Sequence, residues 1–297
     1  MENKLIVYIE LLRPFTLLAP IIVSGSVMLA SLIYTNQVDI SLLTIFLTII
    51  PACLCFALLN GASNALNQAT DYKEDSMSKP YRPIPKGIIS KKEALHISLL
   101  LYIFTILVSF TVNLIFSFFV ITIAFFSVTY SLPPRIKKFL FINQLWVAIP
   151  RGFLGILASW SVFANPFDSL PLSIAFVSAL FLFGGTSTKD ILDCDADKKN
   201  GTKTLVNYYG IKNASLISFL FMSCAFILII PLIMFNIIES YLLPLSFLII
   251  FSYLIYRLMI NHNKNEKCEN TSAWTLMYAT YMLYIMVFCS LIFFYCA

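Results

Sequence analysis

Apolar runs of about 18 to 25 residues follow one another along almost the whole chain, divided by short polar stretches. A helix needs about 20 such residues to cross a hydrocarbon core. Nine runs qualify, at about 15–34, 41–65, 94–112, 114–131, 142–163, 170–187, 213–236, 241–260 and 274–296. Only a turn around Asn113 separates the third from the fourth. Membrane β-strands would alternate in short segments instead, and that alternation is missing. Of the 297 residues only 12% are charged, against about 25% in a soluble domain, so the main solvent of this chain is lipid. The pattern predicts an all-α polytopic membrane protein of about nine transmembrane helices, forming a single domain over residues 1–297.

The basic residues fix an orientation. Cytoplasmic loops of membrane proteins carry the excess of Lys and Arg. With the N-terminus inside, the segments 1–14, 66–93, 132–141, 188–212 and 257–273 are cytoplasmic and hold 19 of the 20 Lys and Arg, whereas "TNQVD" at 35–39 and "NIIES" at 236–240 hold none. Moving the count by one span would scatter the bases over both faces. The C-terminus then lies on the opposite side. The base left over is Arg151, about nine residues into its span. Because the bases sit in loops between spans, the net charge of +5 is no nucleic-acid signature. Lys4 and an apolar start are followed by Glu10, Arg13 and Pro14 with no small-residue cleavage signal, so no removable signal peptide is expected. The seven cysteines, among them Cys53, Cys55, Cys194 and Cys268, are scattered. Their spacing fits neither a zinc site nor a disulfide framework.

Two cytoplasmic stretches carry most of the chemistry. In "NQATDYKED" Asn67, Asp71 and Asp75 stand four residues apart, and in "KDILDCDADKKNG" Asp193 and Asp197 do the same, with Asp190 three before. Residues three and four apart share a helix face, so each stretch projects a row of oxygen ligands from the inner end of a span. Both acids of the first row lie 122 positions before their counterparts in the second. That offset reads as a weak internal repeat, with halves at about 1–140 and 141–297. Stacked carboxylates repel and take up protons unless a cation is near. Magnesium meets the need with one or two carboxylates plus substrate phosphates. Lys73, Lys79, Arg82, Arg135, Lys137 and Lys189 are close by to hold phosphate oxygens. One such acidic pair at a helix end is more often a solvated terminus; two on the same side favour a metal-diphosphate site above an apolar bundle. Glu74 and Asp195 lie off the rows and are expected to be solvated, and His96 and His262 are isolated.

At these residues the sequence resembles the UbiA-type family of membrane prenyltransferases. "NQATDYKED" matches its NxxxDxxxD motif, and "SKPYRPIPKGIIS" is close to the KPxRPxPxG continuation. "KDILDCDADKKNGTKTL" matches the second DxxxD motif with Gly201 and Thr204 downstream, and "YSLPPRIKK" is similar to the Tyr-then-Lys loop after the fourth helix. The resemblance implies a helical bundle around a central cavity, magnesium ions and a polyprenyl diphosphate donor. It implies that Asn67, Asp71, Asp75, Asp193 and Asp197 hold the metal-diphosphate group, supported by Asp190. Arg82, Lys137 and Lys189 would contact phosphate oxygens, with Lys79 and Arg135 beside them. Tyr130 would line the reacting allylic carbon, where an aromatic face stabilises a developing cation. The acceptor would be an aromatic or lipid molecule drawn from the membrane. Arg151 is expected either to meet an anionic group in the cavity or to reach for the inner headgroups.

Two rivals stay open. The same metal site in a membrane terpene cyclase would ionise the donor and let its tail attack itself. Intramembrane charge also marks transporters, although here the acids cluster at one face. A phosphatidyl-transferring enzyme would need a DGxxAR-type signature, which is missing.

Overall fold

The structure is a computed structural model that describes residues 4–36, 40–262 and 271–296. Cys268, Lys264 and Lys267, and part of the 35–39 stretch, lie outside the described residues. All regular structure within them is helical: α1 Lys4–Leu12, α2 Leu18–Tyr34, α3 Leu42–Thr70, α4 Tyr72–Ser78, α5 Lys91–Ser109, α6 Leu114–Ser131, α7 Ile142–Ala148, α8 Gly155–Trp160, α9 Ser169–Gly185, α10 Asp190–Lys199, α11 Leu205–Ile227, α12 Ile229–Met234, α13 Ile249–Ile260 and α14 Ser272–Cys296. Single 3-10 turns lead into α2 and α10, and a longer one, Ser240–Leu248, leads into α13.

Eight helical segments of the described residues are long and apolar enough to span a membrane. The ninth expected span, 142–163, is built differently. It is α7 and α8 joined by a π-helical turn over Ile149–Leu154, so the run is a helix made of three pieces. The turn carries "IPRGFL". Pro150 has no N–H to give an α-helical ladder, and single π-helical turns within helices are frequently found at functional sites. The sharp turn expected at Asn113 is present, and the Asn113 side chain caps α6 by accepting from Phe116 N at 2.8 Å. The seventh run starts earlier than its sequence pattern: α11 begins at Leu205 and kinks at Gly210 before the apolar span.

Side chains turned to the outside confirm what the solvent is. Leu42, Leu43, Phe46, Leu47 and Ile50 on α3, and Leu99, Leu100, Phe104 and Leu107 on α5, are all exposed. Such a band would be an aggregation patch in water and is the ordinary surface of a bilayer-spanning bundle. Helix α1 is a different case. It buries Val7 and Leu11 and exposes Leu5, Ile6 and Ile9, the pattern of a helix lying in the membrane interface. Tyr8 anchors it by donating to Glu93 on α5 at 2.5 Å.

The helices close a ring, with α3 against α5 and α2, α2 against α14, α14 against α13, α13 against α11, and α11 against α9. The π-helical turn, α7 and α6 complete it. Lipid tails give helices no hydrophobic reason to associate, so close backbone approach does that work. Two glycines show it. A Cβ on Gly152 would sit 2.6 Å from Ala179 Cα on α9, and one on Gly184 would sit 2.7 Å from the Ser218 carbonyl oxygen on α11. The ring encloses a cavity that reaches the end of the bundle where α4 and α10 meet, bordered there by Lys79, Leu192 and Asp193.

Candidate active site

The first row forms in two pieces. Helix α3 runs on to Thr70, past the end expected from hydropathy, because Asn64, Asn67 and Gln68 are turned inward and need no lipid-compatible surface. Asn67 is therefore a helical residue. Asp71 breaks the helix, with φ −100 and ψ 19, and begins α4. The i to i+4 bonds nonetheless continue through the break: Asp71 N donates to Asn67 O and Asp75 N to Asp71 O, both at 2.8 Å. The three members of the row thus keep their common face. In the second row, α10 is continuous from Asp190 to Lys199. Asp190 is buried, Asp193 and Asp197 are half-buried, and Asp195 is exposed, as the helical spacing predicts.

The bases lie on the acids themselves. Lys79 donates to both oxygens of Asp193, at 2.5 and 2.6 Å, and so ties the first loop to the second row. Arg82 pairs with Asp75 at 2.6 Å, and both are buried. Asp71 receives Arg135 at 2.9 Å together with Lys137. Arg135 also lies 3.6 Å from Glu74, so Glu74 is a partner of the basic loop and not the freely solvated residue expected. The Asn67 side-chain oxygen accepts from Ser131. Lys189 donates to the Tyr130 hydroxyl at 3.0 Å and stands 5.4 Å from the centre of its ring. Lys73 is exposed and takes no part in the cavity.

These contacts set the charge states. Burial alone would raise the pKa of Asp193, but the Lys79 ammonium outweighs it and holds the carboxyl below its ordinary value. Burial raises Asp75 in spite of Arg82. Asp190 and Asp197 have no such close base. Burial, together with the charge of Asp193, pushes Asp190 up to about 6. Burial and the carboxylates of Asp190 and Asp193 push Asp197 up to about 8. The second row therefore holds more acid than its bases compensate.

Of the candidate residues, Asn67, Lys79, Arg82, Tyr130, Arg151, Lys189 and Asp193 line the cavity wall, whose volume is about 250 Å³. Asp71, Asp75, Arg135 and Lys137 stand behind them and are joined through the ion pairs above. Asp190 and Asp197 belong to the face of Asp193. Among the described residues no three acidic, histidine or cysteine side chains converge on one point. The donor set is still that of a hard cation, since both rows offer oxygen and nothing softer, and magnesium takes only one or two carboxylates when phosphates supply the rest.

Arg151 lines the cavity. Its guanidinium donates to Asn60 Oδ1 at 3.3 Å. Asn60 is seven residues, roughly 10 Å, along α3 from Asn67, so the cavity has a second cationic level below the acidic rows. Arg13 joins the wall from a left-handed backbone conformation, φ 57. The break around it is held by amides of α3: Gln68 donates to Leu11 O at 2.7 Å, Asn64 to Leu12 O at 2.9 Å and Asn60 to Thr16 O at 2.9 Å. Sequence reading passed over Arg13, Asn60 and Asn64. The signal was the spacing of Asn60, Asn64 and Asn67, one helical face of amides in an otherwise apolar run. His96 lies in a groove between α1 and α5, away from the cavity.

Known proteins are similar to this chain in sequence and in fold. The chain is 30% identical to digeranylgeranylglyceryl phosphate synthase of Methanosphaera stadtmanae, over 87% of this chain and 90% of that one. It is 29% identical to the enzyme of the same name from Methanobrevibacter smithii, over 89% and 90%. Its fold is similar to that of a UbiA homologue from Archaeoglobus fulgidus bound to GPP and Mg2+, with a TM-score of 0.68 and 22% identity, covering 97% of this chain and 98% of that one. The model of the UbiA prenyltransferase family matches residues 18–281. A multi-pass bundle with these motifs over nearly its whole length is an integral membrane prenyltransferase, and the chain belongs to the UbiA prenyltransferase family.

Proposed function

We propose that the protein moves a polyprenyl group from its diphosphate to a hydroxyl of a glyceryl phosphate lipid, with magnesium at the acidic rows. The observation that carries the reading is the two cationic levels of one cavity. Lys79, Arg82 and Lys189 stand with the acids at the cytoplasmic mouth, and Arg151 stands about 10 Å below, along α3. That arrangement suits two anionic groups bound at once, a donor diphosphate above and a phosphate of the acceptor below. The similarity to digeranylgeranylglyceryl phosphate synthases points to the same acceptor class. A product with two geranylgeranyl groups on one glyceryl phosphate is completed by alkylating the hydroxyl of a singly alkylated one.

Asn67, Asp71 and Asp75 of the first row and Asp190, Asp193 and Asp197 of the second would hold the metal, which supplies charge neutralisation for the diphosphate. Lys79, Arg82, Arg135, Lys137 and Lys189 take phosphate oxygens, the arginines as a two-pronged fork and the lysines as point charges. The bond from the allylic carbon to the diphosphate oxygen breaks, and the electron pair leaves with the diphosphate. Those bases stabilise the growing negative charge. The ring of Tyr130 faces the carbon as it becomes cationic. The acceptor hydroxyl oxygen forms the new ether bond, and its proton goes to the departing diphosphate. The apolar wall of Phe56, Leu59, Ile123 and Leu182 keeps water from capturing the cation. Ligand pockets usually measure roughly 300 to 1,000 Å³, so a long tail would run on between helices into lipid. The distribution of bases supports a cytoplasmic N-terminus and cytoplasmic acidic loops.

Mass analysis of lipid products tests the reading. Membranes containing the protein are incubated with magnesium, a panel of prenyl diphosphates, and either a singly prenylated glyceryl phosphate or an aromatic acceptor. The expected product is the doubly prenylated glyceryl phosphate. A prenylated aromatic product, or a cyclised hydrocarbon formed from the donor alone, would overturn it.

Arg151→Met tests the lower level. It keeps length and removes charge, so the Michaelis constant for the glyceryl phosphate acceptor is expected to rise about tenfold, the scale of one lost charge-assisted hydrogen bond. The constant for the donor should stay within about twofold. Equal weakening of both substrates would move Arg151 to the diphosphate.

A further inference from the structure

We infer that Tyr281 is a positioning residue that sets the aim of Arg151, a step that rests on reading Arg151 as the contact for the acceptor phosphate. Arg151 sits inside the π-helical turn Ile149–Leu154. Such a turn inserts one residue into the α-helical ladder and turns the following carbonyls away from their usual partners. The Arg151 carbonyl is met from across the bundle. The Tyr281 hydroxyl, on α14, donates to it at 3.1 Å. On the next residue, Gly152 leaves no room for even a Cβ against the backbone of Ala179 on α9.

The backbone at 151–152 is thus held from two sides, by a hydrogen bond from α14 and by backbone contact with α9. The guanidinium is held by a third element, through Asn60 on α3. Tyr281 is 5% exposed and lines the same cavity as Arg151, and the bond to the Arg151 carbonyl is where its donor goes. Without that bond the turn loses the hydrogen bond from α14 that opposes its return to α-helical pairing. One residue of α-helix is about 100° of rotation, which would swing Arg151 off the cavity. Pro150 and Gly152 permit the π-helical turn, and Tyr281 selects it.

Tyr281→Phe removes only the hydroxyl. It is expected to raise the Michaelis constant for a singly prenylated glyceryl phosphate about tenfold and to leave that for the prenyl diphosphate within about twofold. The double variant Tyr281→Phe/Arg151→Met should be no weaker than Arg151→Met alone, because residues acting through one another are not additive. Amide hydrogen exchange in nanodiscs should speed up at 149–155 and stay unchanged elsewhere in the bundle. Unchanged exchange at 149–155 would overturn the inference, as would single-variant losses that multiply in the double variant. If Arg151→Met leaves the acceptor constant alone while Tyr281→Phe still loosens 149–155, the acceptor assignment falls and the positioning of Arg151 by Tyr281 stands.

Discussion

Asp193→Asn and Asp197→Asn are each expected to lower the rate of prenyl transfer about 100-fold or more, the loss that follows when a leaving group gives up several kcal/mol of stabilisation. Asp195→Asn, two residues from each of them, should remain close to wild type. Four acids lie within the eight residues "DILDCDAD", so neither composition nor nearness in sequence separates them. The helix does. Along α10 Asp195 is about 200° around from Asp193, and it is exposed while Asp193 lines the cavity. Asn keeps the size of Asp, so packing is little disturbed. Asp190→Asn should fall between, since Asp190 is buried on the same face and supports the row from behind. Purified variants assayed at saturating magnesium decide the order. A dead Asp195→Asn beside an active Asp193→Asn would mean that the face of α10 has been misassigned.

Removing divalent metal is expected to abolish turnover, and adding magnesium back should restore it. The physical ground is the imbalance in the second row. Lys79 compensates Asp193, but Asp190 and Asp197 are left with raised affinity for protons because burial and the Asp193 carboxylate disfavour ionisation, with Asp190 adding to the effect on Asp197. A hard cation relieves that strain and meets the oxygen donors both rows present. A preparation treated with EDTA and desalted, assayed with and without magnesium, measures the effect. Full activity in metal-free buffer would leave the acids with a purely structural role.

Much of this was legible in the sequence, and the rest was hidden for identifiable reasons. The apolar runs gave the spans because the bilayer sets a length that little else satisfies, and the two acidic rows stood out because charge is scarce in such a chain. The ends of α3 and α11 were misjudged. Hydropathy stops at the last lipid-facing residue, while α3 continues with inward amides as far as Thr70. The broken span was also out of reach, since Pro150 and Gly152 permit a π-helical turn without requiring it. The pairing of Lys79 with Asp193 joins residues 114 positions apart, and spacing along one helix says nothing about such partners. Arg13 was read only as the end of an apolar start, because its role depends on a backbone break that α3 holds from outside.

The close helix contacts at Gly152 and Gly184 bear on how such an enzyme can change its substrates. On that side the ring is backbone against backbone, from the π-helical turn to α9 and from α9 to α11. At those two contacts there is no side chain to trim or enlarge, and any added atom pushes whole helices apart. Adjustment falls to the side-chain lining, where Phe56 on α3, Ile123 on α6 and Met277 on α14 reach into the cavity. Diversification of tail length or acceptor within this scaffold should therefore be concentrated in those three side chains, and libraries aimed at new specificity are best confined to them.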